Sequence, residues 1–417
     1  MTIPMDAGAA ELLHALHAAG HAAYAVGGCV RDSLLGLTPH DWDLCTSALP
    51  QQVMELFGAQ RCIPTGLQHG TVTVKQSGAL YEITTFRTEG TYTDGRHPDE
   101  VHFVPDVRQD LARRDFTINA MAYNEKEGLV DPFGGQADLQ SGILLAVGVP
   151  RQRFTEDALR ILRLYRFAAR FGFAIDPPTA QAAQELCAHL DCVSVERIEE
   201  ELAKLLAAPA PAAYLDEKIL GVVLPELSPE ALAAAKPVVD ACPAGAENLP
   251  IRLAALLLSL GEDGIRRTLK HLRCSNALIE ETAVLVREVV SGVPVAFSSE
   301  KLPARPPVSL NIYTRKLLGQ YGLKTVQRLA ALGIALQPER TAEFAALSEL
   351  AEQLDTDGVC CRVSQLAVNG RDLMAAGIPA GPGIRKVLEA LLDGVIREEY
   401  PNERQALLAA VQQLAAS

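Results

Sequence analysis

Two aspartates one residue apart, in Asp41-Trp42-Asp43, are the sharpest chemical feature of the sequence. The run DWDLCT (41–46) reads as a strand, in which residues i and i+2 share a face, roughly 6–7 Å apart. Like charges held that close call for a compensating cation, and Mg2+ takes one or two carboxylates plus substrate phosphates. A lone D-x-D also reads as a solvated strand edge, and Trp42 alternates to the other face, as a core residue would. The neighbours favour chemistry. Val26-Gly27-Gly28-Cys29-Val30-Arg31-Asp32 follows an apolar run and opens a helix. Glycines there let backbone N–H groups approach an anion, and Arg31 can add a charge-assisted contact to phosphate. The spacing is neither G-x-G-x-x-G nor a P-loop. Glu82, in a second strand, can supply a third carboxylate. A phosphate cradle beside metal-binding carboxylates points to nucleotidyl or phosphoryl transfer with two metals.

These side chains need a sheet to hold them. AAYAVGG (22–28), GTVTVKQ (70–76) and LYEITTFR (80–87) read as strands alongside 41–46. From about residue 150 onward the pattern is helical, with Pro-rich breaks at 207–212 and 291–307. The expected architecture is a mixed α/β region over roughly the first 148 residues, then a long all-α remainder in two or three subdomains.

Several segments, in order, resemble the class II tRNA nucleotidyltransferases, which comprise the bacterial CCA-adding enzymes and related poly(A) polymerases. Gly27-Gly28-Cys29-Val30-Arg31-Asp32 followed by Asp41-Trp42-Asp43 is similar to their signature. Arg113-Arg114-Asp115-Phe116-Thr117-Ile118-Asn119 resembles the ribose-binding motif. Glu156-Asp157-Ala158-Leu159-Arg160, with Arg163 and Arg166, resembles the nucleotide-selecting helix. Ser194-Val195-Glu196-Arg197-Ile198 with Glu201 resembles the neck helix, and 366–373 and 378–384 resemble the tail of Gram-positive-type members.

The resemblance implies an α+β fold: a nucleotidyltransferase head with a polymerase-β-like mixed sheet (1–148), then an all-α neck (149–208), body (209–300) and tRNA-binding tail (301–417). It implies Asp41, Asp43 and Glu82 as catalytic, with Asp41 and Asp43 on Mg2+. Gly28 and Arg31 would hold the triphosphate. Arg114, Asp115 and Asn119 would lie near the ribose and its phosphates, and Asp157 and Arg160 would read the base. Arg163 is placed to reach the nucleotide's phosphates. Arg166 is nucleotide-binding by resemblance, although helix geometry also allows it to anchor the neck. At i and i+3 of one helix, Asp157 and Arg160 would be neighbours. Asp accepts from the exocyclic amine of C or A, and Arg donates to the adjacent ring nitrogen. The implied activity is addition of CCA to the tRNA 3′ end from CTP and ATP, with CC-adding, A-adding and poly(A)-polymerising types as alternatives. The segment Arg87–Glu100 resembles the flexible loop that the family associates with the switch to A addition.

The 417 residues suffice for about two to four domains. No apolar run reaches about 18 residues and the N-terminus lacks a basic, then apolar, leader, so no membrane partner and a cytoplasmic location are expected. Nine scattered cysteines without a C-x-x-C pair fit reduced thiols. His14, His17 and His21 share a helix face, and the sequence offers them no evident carboxylate or cysteine partner. Leu258-Ser259 stands where some relatives carry a His-Asp pair, so no hydrolase chemistry is expected there. The formal net charge of −13 argues against a polyanionic partner. Its distribution does not. Residues 301–338 carry six basic and no acidic residues, and 264–279 carry Arg266, Arg267, Lys270 and Arg273 with no acid. These are candidate tRNA backbone surfaces. DNA is not an expected partner, and either a monomer or a homodimer is compatible.

Overall fold

The computed structural model describes residues 2–90, 101–291 and 308–416. Residues 91–100 of the resembled loop, and Lys301 and Arg305 of the basic stretch, lie outside the described residues. The chain divides into two compact units, 1–229 and 230–417.

The first unit is built on a seven-stranded mixed sheet. In chain order its elements are α1 (Ala7–Ala18), β1 (Ala23–Val26), α2 (Gly28–Leu34), β2 (Leu44–Thr46), α3 (Pro50–Phe57), β3 (Cys62–Gly66), β4 (Thr71–Gln76) and β5 (Ala79–Thr85). A separate ribbon follows, β6 (Arg87–Glu89) against β7 (Val101–Phe103). Then come α4 (Val107–Ala112), β8 (Ala122–Asn124), β9 (Gly128–Val130), α5 (Gly135–Ser141) and β10 (Ile143–Leu144). The sheet order is β3-β4-β5-β2-β1-β8-β9. β1 is central and buried along its whole length, which explains its unbroken apolar run, whereas β4 alternates in sequence but buries Val72, Thr73 and Val74 in succession. Tyr24, Val26, Cys45, Phe86 and Leu111 pack into one core.

Only 44–46 of the expected 41–46 strand are strand; Asp41-Trp42-Asp43 forms the segment leading into β2. The alternation argument therefore fails at Trp42, which is half-buried rather than core. The unit continues in helices: α6 (Pro150–Glu156), α7 (Leu159–Phe171), α8 (Pro177–Leu186), α9 (Val195–Leu206) and α10 (Glu217–Val223). One short strand, β11 (Ala174–Ile175), interrupts them and pairs with β10. α7 packs against α9; Leu162, Tyr165 and Phe167 of α7 and Ile198, Leu202 and Leu205 of α9 are buried.

The second unit contains helices only among the described residues: α11 (Pro229–Ala241, opening at the boundary), α12 (Leu249–Leu257), α13 (Gly261–His271), α14 (Asn276–Ser291), α15 (Val308–Tyr321), α16 (Leu323–Leu336), α17 (Thr341–Thr356), α18 (Gly370–Ala375), α19 (Pro382–Ile396) and α20 (Arg404–Ala416). α12, α14 and α16 pack together, as do α15, α16 and α17. The end of the chain has a core of its own, with Val368, Leu373, Leu391, Val395, Leu407 and Val411. No helix among the described residues is long and apolar enough to cross a membrane.

Candidate active site

The three expected acids lie near one another at one end of the sheet. β2 and β5 run parallel with Leu44 beside Ile83, so Asp43 and Glu82, each one residue earlier, stand side by side. The Asp43 carbonyl accepts the Val26 N–H at 2.9 Å, which ties the aspartate segment to β1. Asp41, Asp43 and Glu82 are all exposed. Although Asp43 is exposed as a residue, partial desolvation of its carboxyl is the largest cause of a pKa raised to about 6. The negative charges of Asp41 and Glu82 add to the rise, and Arg114 opposes it. An acid pushed up by its acidic neighbours is a group short of positive charge. The donors are hard carboxylate oxygens, as Mg2+ prefers. No three His, Cys, Asp or Glu groups close on a common point among the described residues. A Mg2+ site needs only one or two protein carboxylates when water and phosphate supply the rest, so the residues fit such an ion. Beside Asp41 lies an open cleft of about 760 Å³, walled by Trp42, His40, Thr38, Leu37 and Tyr81.

The Gly-Gly turn connects this end of the sheet to α2. Gly27 has φ +78°, and a side chain there would meet Nη1 of Arg114 at 2.9 Å. Gly28 is the first residue of α2. Arg114 reaches from the far side, with Nη2 donating to Asp110 at 3.4 Å. Burial alone would push buried Asp110 up, but Arg113 and Arg114 hold it below the usual carboxylate range.

From α2 a continuous network of charges runs to the helices. Arg31 is buried. Its Nη1 donates to Asn119 Oδ1 at 2.5 Å and its Nε to Asp32 Oδ1 at 2.8 Å. Asn119 Nδ2 donates to Asp115 Oδ1 at 3.1 Å. The other oxygen, Oδ2, accepts Nε and Nη2 of Arg163 at 2.9 and 2.6 Å. Burial would raise Asp115, yet Arg163 overrides it and holds the carboxyl well below the usual range. Glu201 on α9 completes the chain, 3.8 Å from Arg163 and hydrogen-bonded to Nε of Arg166. The Arg166 guanidinium also lies 3.9 Å from the centre of the Phe167 ring. Arg31, Asn119, Asp115 and Arg163 are thus brought into one cluster, while Arg166 faces α9.

Asp157 and Arg160 do not share a helix. α6 ends at Glu156, Asp157 is extended (φ −144°, ψ 104°), and α7 begins at Leu159. Asp157 instead bonds Arg197 at 2.8 Å. Arg160 is held by Glu156 at 2.8 Å and by the carbonyls of Arg153 and Arg113 at 3.2 and 3.1 Å. Sequence reasoning missed Glu156, Arg197, Glu201 and Asp110 as partners. The i, i+4 spacings of Glu156 with Arg160 and of Asp110 with Arg114 were the legible signals. Arg197 and Glu201 are brought in from a distant helix.

Two further expectations change. His14 does have a carboxylate neighbour, Glu125, at 3.5 Å, which the fold supplies from beyond β8. Of the basic runs, Arg315 and Arg328 are buried: Arg315 donates to the carbonyls of Cys360 and Ile396, and Arg328 pairs with Glu281. Lys316 pairs with Asp393 and Arg266 with Glu262, each at 2.8 Å. Arg267, Lys270 and Lys324 remain exposed.

A sheet that presents paired aspartates beside a Gly-Gly turn, with arginines converging from the next helices, defines a nucleotidyltransferase. Residues 23–145 match the poly A polymerase head domain, 172–230 the RNA and SrmB-binding site of polymerase A, and 252–411 tRNA nucleotidyltransferase domain 2. The chain is 36% identical to the CCA-adding enzyme of Lactiplantibacillus plantarum, over 97% of this chain and 96% of that protein. It is also 36% identical to the CCA-adding enzyme of Geobacillus kaustophilus, over 94% and 92%. The crystal structure of the Bacillus stearothermophilus CCA-adding enzyme in complex with CTP superposes with a TM-score of 0.80 at 30% identity, covering 99% of this chain and 98% of that one. The chain belongs to the tRNA nucleotidyltransferase family of CCA-adding enzymes. Enzymes of this family act with a divalent metal ion.

Proposed function

We propose that this protein adds C, C and A in turn to the 3′ end of tRNA, using CTP and ATP without a nucleic-acid template. In each step the terminal tRNA hydroxyl oxygen bonds to the α-phosphorus, the bond to the β-phosphate oxygen breaks, and pyrophosphate leaves as the hydroxyl proton is lost. The observation that carries this reading is the gathering of Asp41, Asp43 and Glu82 at one end of the sheet, beside the Gly27-Gly28 turn that Arg114 approaches, together with the bonded network that holds Arg31 on α2 and Arg163 on α7. Mg2+ held by Asp41 and Asp43, with Glu82 beside them as in two-ion sites, would neutralise charge on the phosphates and make the hydroxyl easier to ionise.

The chain's own groups do the rest. The Gly27-Gly28 turn leaves room for a phosphate to approach the backbone. Arg31, Arg114 and Arg163 place positive charge along the triphosphate, and Asp115 and Asn119 hold Arg31 and Arg163 in position beside the ribose. Asp157 and Arg160 present an acceptor and a donor to the base, the pattern that C and A satisfy and G and U do not. Arg166, bonded to Glu201, sets the angle of α7 on α9 in this reading. We assign 1–148 as catalytic head, 149–208 as neck, 209–300 as body and 301–417 as tRNA-binding tail. Exposed Arg267, Lys270 and Lys324 are candidate phosphate contacts. The reading places the protein in the cytoplasm.

The test is incubation of the full chain with tRNA lacking its 3′ CCA, Mg2+ and each labelled nucleotide. Addition of C, C and A followed by arrest is expected. C without A would select a CC-adding enzyme, long A tracts a poly(A) polymerase, and no incorporation would overturn the reading.

A further inference from the structure

Asp157 lies between two helices, so no helical backbone fixes its side chain, yet both of its carboxylate oxygens are held. Oδ1 accepts the Leu159 N–H at 3.1 Å and Oδ2 accepts Nη2 of Arg197 at 2.8 Å. Arg197 belongs to α9, forty positions along the chain. Arginine forks commonly take a carboxylate with both terminal nitrogens. Here they do not: Nη1 of Arg197 is buried and has no hydrogen-bond partner. Oδ1 takes the Leu159 amide instead, so one oxygen is fixed by the backbone of the bend and the other by α9, and each keeps further acceptor capacity. Nearby guanidinium groups do not substitute. Arg160 is committed to Glu156 and two carbonyls, and Arg163 to Asp115.

We infer that Arg197 is a positioning residue for base selection, fixing the Asp157 carboxylate so that its free lone pairs face the exocyclic amine of the incoming nucleotide. This rests on the reading of Asp157 as a base reader. An anchor that merely fastens α9 to the bend would affect all nucleotides alike. A positioning residue affects the ratio between them.

The experiment measures kcat and KM for CTP and UTP with the full chain and tRNA lacking CCA, for Arg197→Gln, Arg197→Lys, Asp157→Ala and the double variant R197Q/D157A. R197Q should lower the CTP/UTP ratio of kcat/KM by about tenfold, the weight of one good polar pair, chiefly through KM for CTP. R197K should restore part of it, and the double variant should be no worse than D157A, because both changes remove one function. An unchanged ratio in R197Q, or additive losses in the double variant, would overturn the inference while leaving base reading by Asp157 intact. An unchanged ratio in D157A would overturn both. Should R197Q fail to fold, judged by its thermal melt, R197K and R197K/D157A give the same comparison.

Discussion

The end of the sheet and the bend between α6 and α7 treat their acids in opposite ways. At the sheet, Asp41, Asp43 and Glu82 are exposed and crowded, and Asp43 is driven up to about 6 by partial burial and by its acidic neighbours. Around the bend between α6 and α7, Asp115 from the sheet region and Glu156, Asp157 and Glu201 from the helices each bond an arginine, and Asp115 is driven the other way although it is buried. One region is left short of positive charge, as suits acids that meet a cation. The other is charge-matched within the protein, as suits groups whose orientation must exist before the substrate arrives.

The largest test of that contrast is to remove the sheet acids. Asp41→Ala and Asp43→Ala should each lower single-turnover incorporation of CTP by about 10³-fold or more, with tRNA binding retained in a filter assay. Comparable loss of tRNA binding would mean that these acids are structural. At the bend, Asp115→Asn removes the carboxylate that pairs with the partly exposed Arg163 and should cost about 1–3 kcal/mol in denaturant unfolding. Its pH signature has a fixed sign. A carboxyl held low in the folded state stabilises fully above its unfolded pKa near 4, and that stability is lost as pH falls through the lower folded value. The parent should therefore weaken on acidification below about pH 4, and D115N should show a flatter acid limb.

A smaller effect is expected from Glu156→Gln, which loosens Arg160 without removing it: the CTP/UTP preference should fall by up to about tenfold in steady-state kinetics. The smallest is Asp43→Asn without divalent cation. A carboxyl raised in the folded state costs stability as pH rises from about 4 to about 6, so D43N should melt above the parent at pH 7. Solvent screening at this exposed residue keeps the gain under about 1 kcal/mol, and added Mg2+ should stabilise the parent but not the variant. A parent that melts higher without cation would break the contrast between the two regions.

The sequence revealed the sheet acids more readily than the neck. β1, β4 and β5 announce themselves by apolar runs and alternation, and Gly27-Gly28 marks the turn into α2. Asp43 and Glu82 are 39 positions apart, yet Glu82 lies in β5 and Asp43 immediately precedes β2, which pairs with it. The segment 41–43 misled because its alternation continues that of β2, although the backbone there is not strand. At the neck, helical periodicity runs straight through Asp157, and only the structure places a break there. The partners Arg197 and Glu201 come from a separate helix, which no local spacing reveals. Charge runs were legible as counts but not as surfaces, since Arg315 and Arg328 spend their charge inside the second unit.

The division of labour is tested most directly by measuring incorporation of each of the four nucleotides into tRNA lacking CCA by Asp41→Asn and Asp157→Ala side by side. The account predicts that D41N suppresses CTP and ATP incorporation together and leaves the CTP/UTP ratio unchanged. It predicts that D157A still incorporates but loses about ten- to a hundredfold of that ratio. A D157A enzyme that retains full selectivity, or a D41N enzyme that retains full activity, would contradict it.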